Sequence, residues 1–198
     1  QIDHQIGRVL EKLEALGKTE DTIILFTSDH GEFLGQHGLL HKGPPPYGDL
    51  SRVSFVMAGP YVPEGLTSLA PSSHLDIMPT LLELAGAGDG GTRQDGESLV
   101  PVLEGRAPER QARYLEFHPR IDQRVYNHTI VTEAWRLTLY PQSGEDWGEL
   151  FDLRDDPGEH RNLFHDADYD FIRDRLTQRL NEDFAPAPHA GTDLIAKW

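Results

Sequence analysis

The stretch Thr22–Gly43, TIILFTSDHGEFLGQHGLLHKG, joins an apolar run to a loop dense in charge, imidazole and glycine. The run Thr22–Phe26 shows no alternation of apolar and polar residues. That pattern predicts a strand covered on both faces, as in a parallel sheet flanked by helices. In open sheets of that kind, reactive groups collect beyond the carboxyl ends of the strands. Asp29 and His30 stand just past the run. A carboxylate offers hard oxygen and an imidazole offers nitrogen, a pairing that suits a divalent cation. Gly31 lets backbone approach a bound group. Lys42 adds a fixed positive charge for an oxyanion, and His37 and His41 are groups able to donate or shuttle a proton. Two protein ligands are too few for a tight metal site, so further donors are expected elsewhere. Spacing alone leaves open a plainer reading, a polar turn capping a strand.

On the amino-terminal side, Ile2, Ile6, Val9, Leu10, Leu13 and Leu16 recur at helical spacing, and Gly17 closes the element. A helix without a start signal, in a chain that does not open with methionine, leads us to expect a fragment with sequence upstream. On the carboxyl side, Val53–Met57 reads as a second buried strand. His74–Gly86 reads as a helix, with Asp76 as N-cap, Pro79 in the first turn and Gly86 at the end. Beyond Pro108 the texture changes. Tyr114–Phe117, Val125–Glu133 and Trp135–Pro141 are strand-like, the last two as a meander. Tyr169–Phe184 reads as an amphipathic helix through Phe171, Ile172, Leu176 and Leu180, followed by a loosely held tail, APAPHAGTDLIAKW. The expected organisation is an α/β part over residues 1–108 and a small antiparallel subdomain with a terminal helix over residues 109–198. The first part belongs to a mostly parallel sheet with flanking helices. Two or three strands cannot complete such a sheet, so its partner strands are expected outside the chain.

With 198 residues, 37% hydrophobic and 26% charged, the chain has the composition of a globular protein. A net charge of −15 argues against nucleic-acid binding, which needs a basic footprint. The same charge repels an anionic substrate unless a metal and local cations reverse the sign within the site. The absence of cysteine excludes disulfides, thiolate-bound zinc and cysteine nucleophiles within these residues. No apolar run reaches the ~20 residues of a membrane span.

Four ordered motifs resemble one family. TIILFTSDHGEFLGQHGLLHKG is similar to the strand, T-S-D-[HN]-G-E, G-x-H and lysine series of the sulfatase family, in the alkaline phosphatase superfamily. SHLDIMPTLLELAG, DGESLVPVLEG and ELFDLRDDPGEHRNL match its later motifs in order. The resemblance implies that Asp29 and His30 are two metal ligands, and that Lys42 contacts the sulfate or phosphoryl oxygens and the leaving group. His37 and His41 are placed behind the ligands. The implied cation is calcium first, with manganese the alternative. His74 is read as structural, and DPGEHRNL as a segment that pins the C-terminal subdomain.

The formylglycine nucleophile, two acidic ligands and a leaving-group histidine of the family have no counterpart here and are expected upstream. The resemblance thus implies a fragment of a metal-dependent sulfatase acting on a small-molecule sulfate or phosphonate ester, inactive alone. Its partner would be the missing amino-terminal half or a second copy. Two other readings are a phosphonate monoester or phosphodiester hydrolase, and a non-catalytic scaffold of sulfatase descent.

Overall fold

The structure is a computed structural model that describes residues 1–88, 90–91, 93–106, 111–117, 126–141 and 147–183. The tail from Phe184 onward, Val125 at the start of one predicted strand, and the expected boundary at Pro108 lie outside the described residues. The chain forms two units. Gln1–Lys42 and Tyr47–Gln111 make the first; the second begins at Ala112 and also takes in Gly43–Pro46.

In the first unit, α1 (Ile2–Ala15) ends where Gly17 adopts a positive φ of 62°. There its N–H and that of Lys18 satisfy the Glu14 and Leu13 carbonyls. Two short strands follow, β1 (Ile24–Thr27) and β2 (Phe55–Ala58), separated by the loop and the single helical turn α2 (Gly48–Ser51). They pair antiparallel, Leu25 opposite Met57 and Phe26 opposite Val56. This corrects the parallel expectation for these two runs. An unbroken apolar run carries no information on strand direction, which is set by the connection between the strands. Nor are both faces covered among the described residues: Phe26 is 43% and Val56 58% exposed. The apolar stripe of α1 is likewise open at Ile2, Val9 and Leu16.

Asp76 is the N-cap of helix α3 (Ile77–Leu84), as expected, but its side chain makes no capping bond to that helix. Ser73 is the N-cap of a capping box that opens a short 3₁₀ turn at His74–Asp76, and Asp76 is its third residue. The Asp76 carboxylate, buried, accepts from the Ser73 N–H at 2.7 Å and from the Glu97 N–H at 3.0 Å. Thr80 donates to the Asp76 carbonyl and accepts from the Leu99 N–H at 2.8 Å, just ahead of α4 (Val100–Leu103). Pro79 stands in the first turn of α3 and Gly86 takes a φ of 67° at its end, both as expected.

The second unit is a four-stranded antiparallel meander in the order β3 (Ala112–Phe117), β4 (Asn127–Thr132), β5 (Trp135–Leu139) and β6 (Gly148–Asp152). Residues Tyr114, Ile130, Leu137 and Leu150 stand side by side across it. The last three are fully buried and are covered by Leu176 and Leu180 of α5 (Asp170–Asp183), with Leu163 and Phe164. Phe171 does not join this core and is 73% exposed. The opposite face carries Asn127, Thr129, Arg136 and Thr138, all buried. Pro44 and Pro46 offer it carbonyls, the former to the Asn127 amide at 2.7 Å and the latter to the Arg136 guanidinium. Strand β6 lies within a motif read from sequence only as a family signature. Downstream of it, Asn162 accepts from the Leu150 and Phe164 N–H groups and donates to the Gly148 carbonyl, tying the DPGEHRNL segment to the sheet edge.

Candidate active site

The site begins where β1 stops. The Ser28 carbonyl accepts a hydrogen bond from His74 Nε2 at 2.8 Å, which ties the end of the strand to the turn before α3. Asp29 follows, its Oδ1 accepting the His30 backbone N–H at 2.9 Å. That N–H is the largest of the influences holding the Asp29 carboxyl below its usual range, with the His30 ring next and the Lys42 ammonium a smaller one. The group is therefore a carboxylate across the neutral range.

His30 Nδ1 lies 2.6 Å from the Gly31 carbonyl oxygen, which can only accept. In its neutral form the ring therefore carries its proton on Nδ1, and its Nε2 lone pair faces the Lys42 ammonium. Asp29 Oδ2 is 3.6 Å and Lys42 Nζ 3.2 Å from that Nε2. An anionic oxygen, a nitrogen lone pair and an ammonium thus converge on one point.

Gly31 is required for a reason other than the one expected. A Cβ there would meet the Asp49 carbonyl oxygen at 1.9 Å, and the Gly31 N–H donates to the Leu50 carbonyl at 2.7 Å. The glycine lets the site loop close on the Tyr47–Ser51 turn. His37 and His41 are not brought to the convergence point by these contacts. His37 stacks on Tyr47 at 4.0 Å and places Nε2 3.6 Å from Asp49 Oδ2. His41, 89% exposed, turns its ring towards Glu32 at 3.8 Å. Asp49, Tyr47 and the Ser28 contact of His74 are absent from the sequence reading. The PPPYGD turn signal marks only a bend there, and nothing in it shows what the bend touches.

The donors fit a divalent cation in kind, one hard oxygen and one imidazole nitrogen oriented by a backbone carbonyl. Among the described residues no group of three or more His, Cys, Asp or Glu side chains is placed to hold a metal ion, so the set is short in number.

Residues 1–87, which carry this Asp-His pair beyond a strand and the lysine set against it, match the sulfatase family, within the alkaline phosphatase superfamily. The chain is 35% identical over 188 residues to an N-acetylglucosamine-6-O-sulfatase of Bacteroides thetaiotaomicron, covering 91% of this chain and 33% of that protein. An arylsulfatase of Clostridium perfringens is also 35% identical, over 191 residues, covering 90% of this chain and 38% of the relative. The solved structure of a phosphonate monoester hydrolase of Agrobacterium radiobacter superposes with a TM-score of 0.78 at 31% identity, covering 93% of this chain and 39% of that one. The chain spans about a third of the length of the curated relatives it matches.

Proposed function

We propose that these residues are part of a metal-dependent hydrolase of sulfuric esters, in which Asp29 and His30 hold the cation and Lys42 binds the ester's anionic oxygens. The observation that carries this is the convergence of Asp29 Oδ2, His30 Nε2 and Lys42 Nζ. A divalent cation bound there, calcium ahead of manganese, would supply Lewis-acid charge for the ester oxygens. Asp29 contributes a full negative charge to hold it, and His30 a lone pair whose direction the Gly31 carbonyl sets. Lys42 donates to the oxyanion and reverses the sign of a molecule that is otherwise strongly acidic. In this reading the formylglycine nucleophile, two further acidic ligands and the remaining strands of a mostly parallel sheet are supplied by sequence beyond these residues.

A second reading, hydrolysis of phosphonate monoesters, draws support from the likeness to the Agrobacterium enzyme. Assay of the full-length protein against nitrophenyl sulfate and nitrophenyl phosphonate separates the two, and the faster ester names the class. The 198 residues alone are expected to turn over neither ester. Metal-dependent turnover by them would sink the claim that the nucleophile lies elsewhere. Calorimetric titration with calcium and manganese tests the ligands, and also separates an active site from a vestigial scaffold. Asp29→Ala is expected to abolish the binding heat, and unchanged binding removes Asp29 from the ligand set.

A further inference from the structure

We infer that His37 is a positioning residue for Lys42, an assignment that rests on the role proposed for Lys42 above. The Gly31–Lys42 segment is closed by its own backbone: Phe33 N–H to the His41 carbonyl at 3.1 Å, and Gly35 N–H to the Leu39 carbonyl at 2.8 Å. Phe33, 1% exposed, anchors one side of this loop and meets Tyr47 edge-on. His37 lies at its tip with a positive φ of 53°, a backbone state that a non-glycine residue holds only when its surroundings demand it. Here the surroundings are the Tyr47 ring, stacked on the imidazole at 4.0 Å and 20°, and the Asp49 carboxylate. The side chain of His37 is only 11% exposed.

Tyr47 and Asp49 belong to the same turn whose Leu50 carbonyl receives the Gly31 N–H. One turn therefore grips the loop at its start, at Gly31 beside His30, and at its tip, through His37. Lys42 is the last residue of that loop, and its ammonium reaches His30 Nε2 across the closed span. With a long, flexible stem, a lysine keeps one position only if its backbone is held. The ring stack of His37 and its approach to a carboxylate are both made to this turn.

The test uses the full-length protein and two readouts. In a kinetic cycle, His37→Ala is expected to lower kcat on the better ester at least tenfold when Lys42 is present, and less than twofold in a Lys42→Ala background. A merely structural histidine would cost the same factor in both, and that result overturns the assignment. The second readout needs no turnover: the rate of labelling of Lys42 by an amine-reactive reagent, read by peptide mass spectrometry. His37→Ala is expected to change it at least threefold while Lys12 and Lys18 keep their rates, and an unchanged Lys42 rate overturns the assignment. If His37→Ala does not fold, His37→Phe keeps a ring against Tyr47, loses the nitrogen, and carries both measurements. Should the wild type hydrolyse neither ester, the hydrolase reading fails and the labelling alone decides on His37.

Discussion

Single residues in this chain act through what faces them, and three of them make measurable statements. On the role proposed for Lys42, Lys42→Ala is expected to lower kcat by about 100-fold, the usual cost of removing one donor to a developing oxyanion. In that role Lys42 binds the ester and not the cation, so the metal-binding heat should persist; losing both together would show that the lysine only supports the fold. Tyr114 is pushed up to about 12, mainly by burial and then by its hydrogen bond to, and the negative charge of, Asp183. A proton held more tightly in the folded state contributes stability that is fully present below pH 10 and is lost as pH rises through about 12. Absorbance titration of phenolate should therefore show a late-ionising tyrosine that Tyr114→Phe removes. Glu159 and Arg136 form a buried pair, 2% and 5% exposed. Glu159→Ala strands a buried guanidinium and is expected to cost ~3–5 kcal/mol by urea unfolding. Substituting both partners with apolar residues should recover much of that loss.

At the scale of elements, the turn before α3 shows how a short helix whose buried residue is Thr80 is held by polar contacts. Asp76 satisfies two backbone N–H groups from segments far apart in sequence, so Asp76→Ala leaves both unpaired in a buried place. The expected cost is about 1.5–3 kcal/mol, read as a lower unfolding midpoint. Thr80→Val, which removes one donor and one acceptor, should cost roughly 1 kcal/mol. The sequence reading of this helix was correct in its proline and its terminal glycine, each a local backbone requirement, while the α-helix runs only over Ile77–Leu84 after a 3₁₀ turn at His74–Asp76. That reading placed Asp76 at the cap of α3 and missed only that the Asp76 carboxylate turns back to the Ser73 N–H and across to the Glu97 N–H, twenty-one residues away. The β4–β5 hairpin was legible for the same local reason: Thr132 Oγ1 accepts the Trp135 N–H at 2.9 Å within the turn itself.

At the scale of the molecule, the two units bury their apolar residues very differently. The second closes a core in which Ile130, Leu137 and Leu150 are wholly inaccessible, whereas the first leaves Ile2, Val9, Leu16, Phe26 and Val56 open. An open apolar surface of this kind binds fluorescent hydrophobic probes. The 198-residue chain is therefore expected to enhance anilinonaphthalene sulfonate fluorescence. Val9→Lys combined with Val56→Thr should lower that signal without lowering the unfolding midpoint, since neither side chain is packed. Probe binding that is unaffected would place the apolar surface elsewhere.

What the sequence by itself determined is the chemistry and the local geometry: a carboxylate, an imidazole and an ammonium in one segment, the helix ends at Gly17 and Gly86, and the four ordered motifs of the family. Those features are set by residue type and by backbone preferences acting over a few positions. The tertiary structure alone decided the antiparallel pairing of β1 with β2, the exposure of their outer residues, the need for Gly31 opposite Asp49, and the turn of His37 away from the cluster. Each of these depends on which distant segment lies against the residue, and burial, charge pairing and close approach are properties of that pair.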